Sequence, residues 1–290
     1  MKILVTGADG FTGCHFLKHA DLAGHEIIIN DTDLRDKDAL KKTIRQLEFE
    51  SVISFAGLSF VGHEDKSELY SVNALGATNL LDAILEISHK ELNSIVLVSS
   101  AQVYGDNGGT SQIKETDQVA PNNHYAMSKL AMEFMSKTYL DRLPIIFTRP
   151  FNYTGPGQAL NFVIPKIVDH FARRESSIEL GNINVEREYN DIRFVCEAYL
   201  ALIEYGEQGN TYNLCTGTTY SLKEVLDKLT EITRHDLDVF INDDFVRKND
   251  IQRLCGDPRK LEKVLSKAGI STKSYSLRDT LDSMLRDKTQ

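Results

Sequence analysis

A glycine-rich turn between the first apolar run and the first helical segment constrains this chain most. The run Lys2–Thr6 ends in Gly7-Ala8-Asp9-Gly10-Phe11-Thr12-Gly13, and a helical pattern follows to about Ala23. The first glycine permits a tight turn, the second lets backbone approach a pyrophosphate, and the third allows close helix–strand packing. The helix N-terminus then faces the negative charge. In this strand–turn–helix context the pattern predicts a dinucleotide-binding unit.

The end of the second predicted strand, His25–Asn30, bears on which dinucleotide we expect. Asp31 follows it, where a carboxylate commonly accepts hydrogen bonds from the adenosine ribose and repels a 2′-phosphate. Asp33 competes for that role, because the next helix begins almost at once and the usual third strand is shortened or merged. The glycine loop holds Asp9 and no basic residue, so NAD(H) is favoured over NADP(H). Arg35 is the residue that could reverse this preference.

Strands and helices continue to alternate through the first half of the chain. Apolar strand patterns at Ser51–Phe55, Ile95–Val98 and Pro144–Thr148 are separated by helical patterns, the longest at about 65–89 and 125–140. Such alternation predicts an α/β fold with a doubly wound parallel Rossmann sheet.

The pattern loosens after residue 150, which indicates a second, smaller unit. A helix at Asp191–Tyr205 and a strand at Thr211–Leu214 are expected to return to the main sheet, whereas a capping box predicts a separate helix at Ser221–Thr233. We therefore predict a Rossmann domain from 1–150 plus about 191–215. A C-terminal α+β substrate-binding domain would comprise about 151–190 plus 216–290.

Tyr125 and Lys129 lie four residues apart on a predicted helix and so share one face. A phenol beside an ammonium is a proton-transfer pair, because the charge favours the phenolate and lowers a pKa that is ordinarily about 10. Ser99 and Ser100 end a buried central strand, where ligands of such sheets bind. Asn73, within the 65–89 helix, either supports the active site or is a satisfied core polar group.

Composition argues against several kinds of partner. The 33 basic and 42 acidic residues give a charge of −9, so no overall field attracts nucleic acid or an anionic membrane. No apolar run reaches about 18 residues, so no membrane span is expected. Four cysteines stand far apart without partner histidines, so we expect reduced thiols and no metal site. These features, with no signal-like N-terminal segment, predict a cytoplasmic protein.

Taken together, the motifs resemble the extended short-chain dehydrogenase/reductase family of nucleotide-sugar enzymes. The matching motifs are Gly7-x-x-Gly10-x-x-Gly13, Phe55-Ala56-Gly57, Asn73, Ser100-x-x-x-Tyr104-Gly105, Tyr125-x-x-x-Lys129 and Arg149-Pro150-Phe151-Asn152. The resemblance implies that Tyr125 is the acid/base and that Lys129 binds the nicotinamide ribose and lowers the tyrosine pKa. It also implies that Ser100 hydrogen-bonds the reacting sugar oxygen.

The motifs and the resemblance also yield an expected set of binding residues. For the cofactor these are Gly7, Asp9, Gly10, Phe11, Thr12, Gly13, Asp31, Asp33, Leu34, Phe55, Ala56, Gly57, Asn73, Ser99, Tyr125, Lys129 and Pro150. For the substrate they are Ser59, Ser100, Gln102, Tyr125, Asn152, Arg187 and Arg247. The two arginines are candidates for the diphosphate, since guanidinium groups match phosphate oxygens.

Within that family the chain is most similar to the GDP-4-keto-6-deoxymannose reductases. The similarity rests on Arg149–Gln158, Gly181-Asn182, Arg187-Glu188-Tyr189-x-Asp191-x-Arg193 and Tyr212–Cys215. Two residues depart from the pattern: Phe194 replaces an aspartate, and Tyr153 stands where a histidine is common. The sequence therefore leaves four nucleoside diphosphates as alternatives for the substrate: GDP, dTDP, UDP and CDP.

Ala101 and Gln102 bear most directly on the reaction. The family's 4,6-dehydratases carry acidic residues there, because eliminating water across C5–C6 needs a base and an acid. Neither alanine nor glutamine can act as that base or acid. We therefore expect NAD(P)H-dependent reduction at C4 of a nucleotide-diphospho-4-keto-6-deoxyhexose. A 4-epimerase with tightly bound NAD is the alternative, and a non-catalytic cofactor-sensing protein is a third. The family's four-helix bundle, from 65–89 and 122–140, further implies a homodimer.

Overall fold

Six parallel strands form the central sheet in the computed structural model, which describes residues 1–59, 63–87, 92–106, 111–246 and 251–289. The strands are β1 (Lys2–Thr6), β2 (Glu26–Asn30), β3 (Ser51–Ser54), β4 (Ser94–Val98), β5 (Ile145–Pro150) and β10 (Thr211–Leu214). Their order is β10-β5-β4-β3-β1-β2. The chain runs outward from β1 to β2 and then returns to β3 on the other side of β1, which creates a crevice between β1 and β3 where ligands bind in such sheets.

The usual third strand, which the sequence predicted to be shortened or merged, is missing altogether. Residues 31–50, all described, contain α2 (Lys37–Ile44) and no strand, so β2 is the edge of the sheet. The ends of three strands are level, because Thr6 pairs with Asn30 on one side and with Ser54 on the other.

Helices cover both faces of the sheet, as the doubly wound prediction requires. One face packs against α1 (Phe11–Leu22) and α7 (Ile192–Tyr205), and the other packs against α2, α4 (Ala77–Leu85) and α5 (His124–Lys137). Alternate residues of β1 explain this, since Ile3 and Val5 enter the first core and Leu4 enters the second. Strands buried on both faces need continuous apolar runs, which is the pattern in the sequence.

The helix predicted at about 65–89 is interrupted. The structure has α3 (Lys66–Tyr70), a π-helical segment (Ser71–Gly76) and then α4. π-Helical turns are rare and occur mostly at functional sites. The interruption contains Asn73, whose amide is engaged by a loop outside the helix. The predicted C-terminal end of this helix lies outside the described residues.

A smaller layer lies over the carboxyl ends of the strands. There α6 (Val163–Ala172), α8 (Leu222–Thr233) and α10 (Leu277–Thr289) share an apolar core with the parallel pair β7 (Ser177–Leu180) and β12 (Asp238–Ile241). The predicted capping box at the start of α8 is confirmed, since Ser221 and Glu224 bond reciprocally.

Short strands connect this layer to the sheet. The pair β6 (Tyr153–Thr154) and β9 (Asn190–Asp191) lies beside a three-stranded group of β8 (Glu186–Arg187), β11 (Tyr220–Ser221) and β13 (Arg253–Leu254). Periodicity did not predict β12 or these two-residue strands, because so few residues carry no recognisable alternation.

One segment departs from the range 216–290 expected for the smaller domain. Helix α9 (Arg259–Leu265) buries Leu261, Val264 and Leu265 in the core that contains α1 and α7. An apolar helical stripe predicts burial, but it does not say against which layer the stripe will pack. Across the described residues, no helix has the length and apolarity that crossing a membrane requires.

Candidate active site

A cavity of about 690 Å³ lies between the sheet and the smaller layer. Most of the residues expected to bind a ligand line it. They are Gly7, Gly10, Phe11, Thr12, Gly13, Phe55, Gly57, Ser59, Ser99, Ser100, Gln102, Tyr125, Lys129, Pro150, Asn152 and Arg187. The fold therefore gathers onto one surface residues that are up to 180 positions apart.

The glycine loop forms a cradle in which side chains do not fit. Gly7 has φ +68°, and a Cβ there would lie 2.5 Å from the backbone nitrogen of Ala56. A Cβ on Gly13 would lie 2.2 Å from the Gly7 carbonyl oxygen. A Cβ on Gly10 would only touch that oxygen, at 3.4 Å, so the middle of the loop is open toward the cavity. This matches the three roles predicted for the glycines and suits a dinucleotide pyrophosphate.

A second observation suits a polar ligand in this cavity. The Ser99 hydroxyl is buried and has no hydrogen-bond partner among the described residues. Buried hydroxyls are rarely left without a partner in a folded protein. The residues present therefore fit the dinucleotide that the glycine loop implies.

Helix α5 and the end of β4 bring the three predicted catalytic side chains together. The Asn123 side chain accepts a hydrogen bond from the Ala126 N–H at 2.8 Å and so starts α5 just before Tyr125. The Ser100 hydroxyl lies close enough to the Tyr125 hydroxyl to act on its pKa, and both side chains line the cavity. Lys129, one turn along α5, donates its Nζ hydrogen bond to the Val98 carbonyl at 2.9 Å.

Burial sets the electrostatics of the pair. Burial raises the pKa of Tyr125, and the Ser100 hydroxyl opposes this without reversing it. Burial also lowers the pKa of Lys129 to about 8. The lowering of the tyrosine pKa by the lysine stays a prediction, since burial sets the direction of the shift in this structure. At neutral pH the phenol is protonated, which is the form that can donate a proton.

Asn73 lies behind Gly57, a residue of the cavity wall, and its contact with the cofactor stays a prediction. Its side-chain amide accepts a hydrogen bond from Leu58 N and donates to Leu58 O, at 2.9 and 3.1 Å, and also donates to Ser128 Oγ at 2.9 Å. It is thus a satisfied core polar group that ties the loop after β3 to α5. Asn73 therefore combines the two roles considered from the sequence: it is a satisfied core polar group, and it supports the active site by holding a loop against the helix of Tyr125.

Around the end of β2, Arg35 is held between two carboxylates. Its guanidinium donates to Asp33, with Nη2 to Oδ2 at 2.6 Å, and to Glu68, with Nη1 to Oε1 at 3.1 Å. His63 contacts the same Glu68 at 2.8 Å. Asp31 is exposed beside them. The residue that could have reversed the cofactor preference is therefore paired, and the surroundings are rich in carboxylates.

Three other expected cofactor residues contribute in different ways. The Leu34 side chain is buried in the core with α2 and α4, so only its backbone is free to face a ligand. Ala56 places its backbone against Gly7, and Asp9 is exposed on the loop.

The substrate side of the cavity is formed by the smaller layer. Asn152 and Arg187 line it as expected, and Arg187 is buried, with Nη1 donating to the Glu186 carbonyl at 2.8 Å. Arg247 lies outside the described residues. The sequence missed Lys166 and Phe245, which also line the cavity. The Lys166 ammonium lies 4.8 Å from the Phe245 ring centroid, a contact across the layer that no local motif signals.

Tyr153, the departure from the family's histidine, joins the smaller layer to the glycine loop. Its hydroxyl is 2.7 Å from Thr12 Oγ1, and its ring stacks on Phe11 with centroids 6.2 Å apart. Burial raises the pKa of Tyr153 to about 12, so it is a neutral hydrogen-bonding group beside Tyr125. The substitution therefore changes a contact of the glycine loop itself.

A protonated phenol facing a dinucleotide cradle, with serine and lysine at its sides, is the arrangement of the extended short-chain dehydrogenases/reductases. The chain belongs to the GDP-mannose 4,6 dehydratase family, whose model matches residues 17–269.

Individual relatives are similar over nearly the whole chain. The GDP-6-deoxy-D-talose 4-dehydrogenase of Aggregatibacter actinomycetemcomitans is 32% identical, over 99% of this chain and 98% of its own. The GDP-6-deoxy-D-mannose reductase of Pseudomonas aeruginosa is 30% identical, over 90% and 89%. Among solved structures, RMD from Pseudomonas aeruginosa complexed with NADPH superposes with a TM-score of 0.87 at 28% identity, over 99% and 98% of the two chains.

Replacing Lys129 by methionine should stabilise the folded protein at pH 7. The lysine pKa is lowered to about 8, so the cost of burying its charge is present in full below pH 8 and is lost as pH rises toward 10.5. At about 1.4 kcal/mol per pKa unit, and after losing one hydrogen bond, the gain should be roughly 2 kcal/mol. Urea unfolding at pH 7 and pH 10 measures it, and the gain should shrink at pH 10. The exposed Lys137→Met on the same helix is the control. A pH-independent gain would contradict the burial argument.

Releasing Arg35 should shift the dinucleotide preference toward NADPH. In the double variant Asp33→Asn with Glu68→Gln, the guanidinium loses both charged partners and can meet a 2′-phosphate. Removing two nearby negative charges should improve the Kd for NADPH relative to NADH by about tenfold. Fluorescence titration of both dinucleotides measures the ratio, with Glu64→Gln, an exposed neighbour, as the control. A wild-type protein that already binds NADPH more tightly would contradict the NAD(H) preference.

Proposed function

We propose that this protein is an NAD(P)H-dependent reductase that acts at C4 of a nucleotide-diphospho-4-keto-6-deoxyhexose of the GDP-4-keto-6-deoxymannose type. The observation that carries the proposal is that Ser100, Tyr125 and Lys129 together line the wall of a cavity that begins at the glycine cradle. Two relatives that are at least 30% identical are named as enzymes of GDP-6-deoxy sugars, which supports the same substrate class here.

Each residue of the site has a task in this reaction. The bound nicotinamide dinucleotide supplies a hydride to C4. Tyr125 donates its proton to the oxygen that becomes an alkoxide, and general acid catalysis of this kind contributes about 10²- to 10⁴-fold. Ser100 donates a hydrogen bond to the same oxygen, and one such preorganised donor contributes about 3 kcal/mol. Lys129 would hold the nicotinamide ribose, where a bound polar group would replace part of the solvation that its ammonium has lost.

The smaller layer would hold the rest of the substrate. Arg187 is buried at the cavity wall, so its charge acts on a diphosphate with little screening. Asn152 offers an amide to the phosphate or the sugar. Phe245 and Lys166 line the same part of the cavity and would contact the nucleoside end.

Dehydration is disfavoured although the family's name refers to it. The proton at C5 has to be removed by a base, and the hydroxyl at C6 has to be protonated by an acid. The positions that would supply them are Ala101, which is buried, and Gln102, which lines the cavity without an ionisable group. Redox chemistry at C4 needs only the Tyr125 site.

Purified protein should consume one equivalent of NADH or NADPH per GDP-4-keto-6-deoxymannose, followed at 340 nm.

Tyr125→Phe should reduce kcat by at least about 10²-fold, because the proton donor is lost. Ser100→Ala should reduce it by about 10²- to 10³-fold, because one donor to the alkoxide is lost. Ser136→Ala is the control for local packing, because Ser136 is a buried serine of α5 that does not line the cavity.

Two outcomes would overturn the reductase. Interconversion of C4 epimers by protein with tightly bound NAD and no net dinucleotide consumption would indicate a 4-epimerase. Dinucleotide binding with no turnover of any of the GDP-, dTDP-, UDP- and CDP-linked 4-keto sugars would indicate a cofactor-sensing protein. Full activity of Tyr125→Phe would contradict the assigned proton donor.

We also propose that the protein is a homodimer through the helices at 65–89 and 122–140. Leu75, Met127 and Phe134 on these helices are 52%, 40% and 57% exposed, which is unusual for large apolar side chains close together on adjoining helices. A four-helix bundle with a second copy would cover them. Phe134→Glu should therefore place a charge inside the interface.

Light scattering at micromolar concentration should give twice the monomer mass of 32.6 kDa for the wild type and a mass close to the monomer for Phe134→Glu. Phe240→Glu is the matched control, because Phe240 is 58% exposed on β12, away from these helices. A monomeric wild type, or dissociation by Phe240→Glu alone, would contradict the bundle.

A further inference from the structure

Behind the cavity wall, an ion pair is buried between α5 and β5. Arg149 donates to Glu133 with both ends of its guanidinium fork, Nε to Oε1 at 2.9 Å and Nη2 to Oε2 at 2.7 Å. The Glu133 side chain is fully buried and that of Arg149 is 6% exposed. Glu133 lies one turn after Lys129 and two turns after Tyr125 on the same helix. The pair therefore attaches the helix that carries the phenol to the strand that leads into Pro150.

The same arginine also reaches the turn that carries Ser100. Its Nη1 donates to the Tyr104 hydroxyl at 2.9 Å, and its guanidinium carbon lies 4.8 Å from the centre of the Tyr104 ring. Tyr104 ends the short 3₁₀ turn that begins right after Ser100, and the Ser100 hydroxyl accepts from the Gln102 N–H at 3.2 Å. Arg149 is thus bonded to a side chain of the helix that carries Tyr125 and to a side chain of the turn that follows Ser100.

A third attachment completes the cluster. The Tyr104 hydroxyl donates to Asn213 Oδ1 on β10 at 2.7 Å, and the Asn213 amide donates to the Ile113 carbonyl at 2.8 Å. The Asn213 N–H donates to Glu115 at 2.8 Å. Every polar atom of the Tyr104 hydroxyl and the Arg149–Glu133 fork therefore has a partner in a region that excludes water.

Stability alone is a weak reason for such a cluster. Burying two charges costs nearly as much as their attraction returns, and apolar replacements of such pairs are often neutral or stabilising. The cluster fixes the relative position of the elements that it joins, because a bidentate guanidinium–carboxylate pair constrains both the distance and the direction between its two groups. A displacement of about 1 Å in a catalytic group can cost about 100-fold in rate.

We infer that Tyr104, Glu133 and Arg149 are positioning residues that hold the turn of Ser100 against the helix of Tyr125, so that the two hydroxyls act on the same point of the cavity. This inference rests on the proposed roles of Ser100 and Tyr125 in keto-sugar reduction. It assigns the Arg149 motif and the Tyr104 motif to one device, although they stand 45 residues apart in the chain. None of the three, all within the described part of the chain, lines the cavity.

Tyr104→Phe is the sharpest test, because it keeps the ring, the ion pair and the contact of the ring with Arg149 while removing the hydroxyl. With GDP-4-keto-6-deoxymannose and NADH, kcat should fall between about 10- and 100-fold with KM within about twofold of the wild type. Tyr139→Phe is the matched control, since its hydroxyl donates to the Asp82 carboxylate at 2.7 Å away from the cavity. An unchanged kcat for Tyr104→Phe, or an equal loss in the control, would overturn the inference.

A double-mutant cycle separates this inference from the proposed function. If Tyr104 acts through Ser100, adding Tyr104→Phe to Ser100→Ala should lower kcat by less than about twofold further, because the hydroxyl to be positioned is already gone. Independent, multiplying losses would refute positioning while leaving the reductase standing. Full activity of Ser100→Ala would instead refute the proposed function.

Two further measurements do not depend on the substrate. A crystal structure of Tyr104→Phe should show a longer distance between the Ser100 and Tyr125 hydroxyls than a crystal structure of the wild type, and an unchanged distance would overturn the inference. The apolar double variant Glu133→Leu with Arg149→Met should unfold at the wild-type urea midpoint or above it. The distance between the Ser100 and Tyr125 hydroxyls should lengthen in this double variant as well, and an unchanged distance in the folded variant would equally count against a positioning role.

Discussion

The site exists because two stretches of backbone approach more closely than any side chain would allow. Gly7 turns with φ +68° directly against the backbone of Ala56, and Gly13 packs its helix onto the Gly7 carbonyl. This contact joins the end of β1 to the end of β3 at the crevice of the sheet. As a result, the N-terminus of α1 faces an open cavity, where its unpaired N–H groups can bind an anion. The loop after β3, α5 and the smaller layer are all arranged around that opening.

Around this opening the protein buries several ionisable groups, and the presence of an oppositely charged partner decides the state of each one. Lys129 has a single carbonyl partner, so burial lowers its pKa to about 8. Arg149 has a carboxylate and a phenol, so its pKa is raised and it stays charged. Burial raises the pKa of Glu188 to about 7, although backbone N–H groups of Gly256 and Thr216 donate to it. Desolvation acts on all of them, and pairing determines the outcome.

Much of the fold was readable from local pattern. The strands of the main sheet, the helices on its two faces and the capping box of α8 were predicted because periodicity and caps are properties of neighbouring residues. The sequence did not predict the π-helical interruption around Asn73 or the packing of α9 against α7. Both depend on contacts with segments distant in sequence, such as the bonds of Asn73 to Leu58 and Ser128.

The sequence by itself determined the glycine loop, the helical spacing of Tyr125 and Lys129 and the absence of an acid at Ala101 and Gln102, since each follows from residue type and short-range geometry. Only the tertiary structure decided that the tyrosine pKa rises, that Arg35 is paired with Asp33 and Glu68, and that Arg149 joins the turn of Ser100 to the helix of Tyr125. Burial and pairing set these properties, and both arise from side chains that the fold brings together from distant parts of the chain.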